Sequence, residues 1–267
     1  MLDRNGYALR QDLENPEFIA LANNLEIFQL NFMAKTRKLW ADEFHFSGDN
    51  LYAWSRQWEY PYHAANMPQE PQRVLDAGSG ITFYPFYLAS LGHQVSCCDL
   101  TDSLTRAFEE ARRATSLPVE FFGASIAEMP FADETFDVLS CVSVLEHVPS
   151  ELRVKVVREF ARVLRPGGRL IVTADVSLGR DHSIMMEDFA VMLAELSRLF
   201  TFTYPPNFVR TTSLLTTDSV RQTEPWRLPW SVRPNTLVNL LLGRAGRRAF
   251  YSLGVVGLTL TRNSPNL

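Results

Sequence analysis

The first residues able to do chemistry are Asp76-Ala77-Gly78-Ser79-Gly80, an acid followed by two glycines, placed directly after the apolar pair Val74-Leu75. A turn of this composition at the end of a strand lets the backbone come close to a ligand. Where a helix follows, its unpaired N–H groups face an anionic group. A second acid, Asp99, closes the next β-like run 19 residues beyond Gly80. A carboxylate at that place accepts hydrogen bonds from both hydroxyls of a ribose. The glycine turn alone is a weak signal, but turn and acid together specify a nucleoside-bearing ligand across the carboxyl ends of the strands.

A nicotinamide dinucleotide would ask for a third glycine where this chain has Phe83, so that the helix can lie close to a pyrophosphate. The acid two residues before the first glycine instead suits a ligand with an amino-acid end, whose ammonium it attracts while the loop amides take the carboxylate. S-adenosylmethionine has that end, a ribose and an adenine. Two histidines are candidate general bases: His147, and His182 in the run SLGRDHS, where acceptor-side loops emerge in open α/β sheets. For His147 a packing or capping role competes. His45, His63 and His93 read as surface or packing residues. Cys97, Cys98 and Cys141 read as small core residues, because nothing near them in the sequence argues for a lowered thiol pKa.

The elements that must position these groups follow from periodicity. RVLDA, QVSCCDL, PVEFFGAS, FDVLSCV and GRLIVTADV read as strands, and the helical runs FYPFYLASLG, TDSLTRAFEEARRATSL and ELRVKVVREFARVL fall between them. Strands alternating with helices mean βαβ units and a parallel sheet. Thr101 or Asp102 is the expected N-cap of the second of these helices, and RPGG is expected to be a turn before the fifth strand. Residues 184–200 read as a further amphipathic helix and GVVGLTLTR as a final strand, while 201–235 carry no clear pattern. Before the first strand, 18–30 and 32–40 read as helices, followed by a crowd of aromatics, Trp54, Trp58, Tyr60 and Tyr62. Residues 1–70 are therefore expected to form a helical cap.

From Arg73 to about Val176, VLDAGSG, VSCCDL, FGASIAEMPFADETFDVLSCVSVLEHV and LRPGGRLIVTADV follow one another in an order and spacing that resemble the class I S-adenosylmethionine-dependent methyltransferase family. The resemblance implies a doubly wound, mostly parallel, seven-stranded-type α/β sheet with S-adenosylmethionine as cofactor. It puts Asp76, Ala77, Gly78, Ser79 and Gly80 around the methionine end, Asp99 on the ribose and Leu100 against the adenine. Ser125 and Ile126 fall at the adenine edge, and Val142 backs the methionine or adenosine. It also sets Tyr60 and its aromatic neighbours at a lid over the cofactor, with cap packing as the equal alternative. Two positions depart from the family's pattern: Thr82 stands where many members have Gly, and Ser125 where an Asp often receives the adenine amino group. A metal-dependent subset carries Glu-x-x-Glu-His where this chain has Ser143, Glu146 and His147, so no metal is expected.

Composition bounds the rest. A chain of 267 residues with 46% hydrophobic content buries one sizeable core with an appended cap. Nothing approaches the roughly 18 apolar residues of a membrane span, the opening lacks a signal-peptide pattern, and three cysteines make no disulfide framework, so a reducing, cytoplasmic setting is expected. The net charge of -4 disfavours nucleic acid. That figure sums ten acids against six bases in residues 1–70 and seven arginines against one acid in 219–267. Arg244, Arg247 and Arg248, beside an apolar stretch, suit an anionic surface. The expected organisation is a cap over 1–70 and a methyltransferase domain over 71–267, with its cofactor half at 71–176 and its acceptor half at 177–267. The expected reaction is methyl transfer to an oxygen or nitrogen of a small-molecule, sugar or lipid-linked acceptor. A nicotinamide-dependent oxidoreductase and a non-catalytic adaptor acting through the basic C-terminal segment are the alternatives.

Overall fold

The computed structural model describes residues 2–36, 53–101, 104–179, 186–228 and 252–264. At its centre is a nine-stranded mixed sheet. Five strands run parallel in the spatial order β4-β3-β2-β5-β6: β2 (Arg73–Ala77), β3 (Gln94–Asp99), β4 (Val119–Gly123), β5 (Phe136–Val142) and β6 (Leu164–Ser177). β9 (Leu253–Arg262) lies antiparallel beside β6. Beyond β9 come β1 (Asn5–Tyr7) and β8 (Pro206–Asn207), and β7 (Phe200–Phe202) pairs with the end of β9. The chain builds outward from β2 in one direction through β3 and β4, then returns to build through β5 and β6 in the other. The strand order thus reverses between β2 and β5, and open α/β sheets bind ligands in the crevice at that reversal.

Helices cover both faces because each strand alternates its side chains. On β2, Val74 enters the core shared with α1 (Pro16–Lys35), α2 (Arg56–Asn66), α3 (Tyr84–Ser90) and α4 (Leu104–Thr115). Leu75 enters the opposite core, with α5 (Ser150–Val163) and α6 (Met186–Leu199). α4 buries Leu104, Ala107, Phe108 and Ala111, a spacing that gives a helix one apolar stripe. Asn15 caps α1 by accepting the Glu17 and Phe18 N–H groups, and Pro16 occupies the first turn, where its missing N–H costs nothing.

Several expectations need correction. The two helices expected over 18–40 are one helix as far as Lys35, and residues 37–40 lie outside the described residues. RPGG is not a turn before a strand: β6 begins at Leu164 and absorbs these residues as a bulge, its register with β5 slipping between Phe136 and Val138. Residues 1–70 supply more than helices, because β1 is a strand of the main sheet. Asn5 explains how three residues suffice: its side-chain amide donates to the Tyr204 and Thr259 carbonyls, and its Oδ1 accepts the Thr259 N–H. The unpatterned 201–235 stretch holds β8 and α7 (Thr217–Thr223) within its described part.

Most of the aromatic crowd is core. Trp58 and Tyr62 are fully buried on α2 and stack with ring centroids 4.6 Å apart over Gly257 of β9, where a Cβ would come within 2.6 Å of the indole. Only a glycine lets the helix lie this close. Trp58 donates its indole N–H to Asp12, and the Tyr62 hydroxyl bonds Thr259 and the Arg4 carbonyl. The residue after Tyr62, His63, is buried between the Ser140 and Thr173 hydroxyls. Burial pushes its pKa down to about 3, so it is a neutral structural histidine.

Candidate functional site

A pocket of about 400 Å³ opens at the carboxyl ends of β2, β3 and β5, within the size range of small-molecule sites. Its first wall is the turn after β2. Gly78 has φ +75°, and a Cβ there would lie 2.5 Å from both methyls of Val144, which reaches over from the turn after β5. The Gly78 N–H is tied to the Cys98 carbonyl at 2.7 Å. The loop is therefore held from both neighbouring strands, with Gly78, Ser79 and Gly80 facing the pocket.

Asp99, at the end of β3, forms the second wall. Its Oδ2 accepts the Gly80 N–H at 3.0 Å and its Oδ1 accepts the Thr101 N–H at 3.2 Å. Each carboxylate oxygen has two lone-pair sites, so the group is oriented by the backbone and keeps acceptor capacity toward the pocket. Beside it Leu100 is 73% exposed, and Ile126 and Ala127 supply an apolar strip on the loop after β4. Ser125 Oγ accepts the Ala127 N–H at 3.2 Å, which fixes that loop. Asp76 is buried to 3% exposure at the pocket's inner end. Burial, and next the charge of Asp99, raise its carboxyl to about 7.

The pocket thus brings together Asp76, Gly78, Ser79, Gly80, Asp99, Leu100, Ser125, Ile126, Val142, Tyr60 and His147. Ala77 does not line it: the residue is fully buried within β2 and faces the core. His147 sits in the turn before α5, exposed at the rim, not within a helix. His182, His45, Asp102, Arg244, Arg247 and Arg248 lie outside the described residues. Of the aromatics, Tyr60 alone reaches the pocket, its ring 5.0 Å from that of Phe83. Phe83, where a third glycine would stand for a dinucleotide, is buried in the core at the start of α3.

Sequence reasoning missed the far wall. Arg56 and Ser143 both line the pocket, and both touch Glu59, which is fully buried. Ser143 donates its hydroxyl to Glu59 Oε1 at 2.6 Å, and Arg56 pairs with Oε2. Ser143 holds φ +49°, uncommon for a non-glycine residue, with its N–H bonded to the Thr173 carbonyl. Behind it, Glu146 Oε1 accepts the Asp175 N–H at 3.4 Å. Burial and then the charge of Glu59 raise the Glu146 carboxyl to about 7, and burial with the charges of Glu146 and then Glu59 holds the Asp175 carboxyl well above the usual range. Nothing local announces this cluster, since its members come from α2, the turn after β5 and β6. Among the described residues no group of three or more His, Cys, Asp or Glu is arranged to hold a metal ion, and no helix is long and apolar enough to cross a membrane.

Residues 75–172 match the family model described as a methyltransferase domain. A ubiquinone biosynthesis O-methyltransferase from Xanthomonas oryzae pv. oryzae is 32% identical over 114 residues, 42% of this chain and 46% of the relative. The chain thus spans about half the length of the curated relatives it matches. Among solved structures, magnesium protoporphyrin IX methyltransferase from Synechocystis PCC 6803 with bound S-adenosylhomocysteine superposes with a TM-score of 0.51 at 15% identity, over 91% of this chain and 99% of that one. The [4+2]-cyclase SpnF superposes with a TM-score of 0.52 at 19% identity, over 73% and 76%. The same fold therefore houses different chemistries, and function has to be argued from the site.

Proposed function

We propose, from the premise that residues 75–172 are a methyltransferase domain of the class I fold, that this chain binds S-adenosylmethionine and methylates an oxygen or nitrogen of a small-molecule acceptor. The observation that carries the reading is the single pocket in which the Gly78–Gly80 turn and the Asp99 carboxylate face one another. Its polar groups fall in the order the cofactor needs. Asp76 suits the ammonium of the cofactor's amino-acid end. Asp99 suits the ribose hydroxyls, and Leu100 with Ile126 the adenine faces. Val142 and Tyr60 line the pocket alongside this row. S-adenosylmethionine supplies an activated methyl group when bound. The chain's part is to position the acceptor in line with that methyl and to exclude water, for which orientation is the main lever.

The acceptor is expected to enter over the pocket's other margin, where His147 stands at the rim and Ser143 and Arg56 form the wall. His147 is placed to take a proton from an acceptor that needs deprotonation. A small molecule fits a pocket of this size. A reducing, cytoplasmic setting agrees with the free cysteines, all three buried.

Mass spectrometry of ligands co-purified with the protein tests the reading. S-adenosylmethionine or S-adenosylhomocysteine is expected, whereas a nicotinamide nucleotide in its place would overturn the proposal.

The Asp76 carboxyl gives the cofactor affinity a pH dependence. Its value near 7 belongs to the free pocket, and a bound ammonium stabilises the carboxylate and lowers it. Affinity for S-adenosylhomocysteine is therefore full above pH 7 and falls as pH drops below it, by up to about tenfold per pH unit. Calorimetric titrations between pH 5.5 and 8 check this, and Asp76→Asn should bind weakly with this pH dependence removed.

A further inference from the structure

Three carboxylates, Glu59, Glu146 and Asp175, lie behind the far wall of the pocket, and among the described residues Arg56 is the guanidinium set against them. Glu59 is satisfied by Arg56 and by the Ser143 hydroxyl, the two groups through which the cluster touches the pocket. Each of the other two keeps one oxygen without a partner: Glu146 Oε2 and Asp175 Oδ1 are buried and meet no hydrogen-bond partner among the described residues. An unpaired buried carboxylate is costly, and replacing such groups by neutral ones often stabilises a protein. Two of them beside a functional pocket invite an explanation in terms of what the pocket binds.

Topology locates the cluster. Crossing the carboxyl ends of the strands, Asp99 on β3 comes first, then the glycine turn after β2, then Val142 at the end of β5 with Ser143 just beyond it, and last Asp175 on β6. The cluster is therefore on the side away from Asp99, the side toward which the proposed function sets the reacting end of the cofactor. We infer that Glu146 and Asp175, with Glu59 and Arg56, distinguish the methyl-loaded, cationic sulfonium form of the cofactor from the spent, neutral thioether. This rests on the methyltransferase reading.

With the pocket free, Arg56 offsets one carboxylate, and the remaining pair shares protons because two further negative charges so close together cannot both be held. A sulfonium near the wall supplies the missing positive charge, so the pair ionises and a proton leaves. A thioether supplies none, the proton stays, and the spent form is held less tightly. Facing the pair are Arg56 and Glu59 on α2 and Cys141 on β5. His63, on the same stripe of α2, is neutral and engaged by Ser140 and Thr173.

Proton exchange on binding is measurable without knowing the acceptor. Calorimetric titrations of the whole chain with S-adenosylmethionine and with S-adenosylhomocysteine, each in buffers of different ionisation enthalpy, count the protons released. Asp76 meets the ammonium that both ligands share, so its contribution cancels in the difference. At pH 7 the sulfonium form should release roughly half to one proton more than the thioether. The ratio of the two affinities should rise with pH from 6 to 8, because a cation lowers the pair's pKa and its advantage is lost as the pair protonates. Asp175→Asn and Glu146→Gln should each shrink the difference, and Asp76→Asn should leave it.

Equal proton release by both ligands with an affinity ratio flat in pH overturns the inference while leaving the methyltransferase reading in place. So does a difference that persists in both cluster variants. Binding of neither ligand overturns both. The comparison in the parent protein needs no variant to fold.

Discussion

Asp99→Ala is expected to weaken S-adenosylhomocysteine binding by at least about a hundredfold. Two hydrogen bonds from ribose hydroxyls to a carboxylate contribute about 1.5–3 kcal/mol each, and each 1.4 kcal/mol is a factor of ten. The substitution also removes the oxygen that accepts the Gly80 N–H, so the glycine turn loses the tether that holds it toward β3. Asp99→Asn keeps a neutral acceptor and should lose about tenfold. A second consequence separates this account from simple damage to the fold. The Asp99 charge is one cause of the raised Asp76 carboxyl, so in Asp99→Ala the pH below which binding weakens should move down. Calorimetric titration gives both readings, and an affinity within threefold of the parent would contradict the role given to Asp99.

Trp58→Ala is expected to cost about 3–5 kcal/mol of stability, the usual range for removing a fully buried large aromatic. The indole is wholly buried, stacked on Tyr62, packed on Gly257 and bonded to Asp12. Truncation leaves a cavity between α2 and β9 and takes the indole donor away from the buried Asp12 carboxylate. Denaturant unfolding measures the loss. Because Trp58 does not line the pocket, the folded fraction should bind S-adenosylhomocysteine as the parent does. Near-parent stability with binding abolished would instead return Trp58 to a lid over the cofactor.

These two residues mark what could be read from the sequence and what could not. Asp99 was legible because its chemistry is local to a strand end at a fixed distance from a glycine turn. The same holds for Asp76, Gly78 and Gly80. Trp58 was ambiguous because an aromatic before the first strand can cover a ligand or fill a core. Gly257, almost 200 residues later, decides between them by letting α2 approach. β1 was illegible because three residues, Asn5 to Tyr7, carry no period, and their place in the sheet depends on Asn5 bonding to Tyr204 and Thr259.

The acidic cluster was hidden for the same reason. Glu59 sits among aromatics on a helix, Glu146 in a turn and Asp175 near the end of a strand. Only the packing of α2 across β5 and β6 brings buried Glu59 together with the half-buried Glu146 and Asp175 beside Ser143. Ser143 itself was visible only as a departure from a metal-binding pattern.

The central claim, that the pocket between the Gly78–Gly80 turn and Asp99 is a S-adenosylmethionine site, is tested most directly by titrating the parent protein with S-adenosylhomocysteine and, separately, with NADH. The expected result is saturable one-to-one binding of S-adenosylhomocysteine, weakened at least about a hundredfold in Asp99→Ala, with no saturable binding of NADH. Saturable NADH binding with no response to S-adenosylhomocysteine would contradict it.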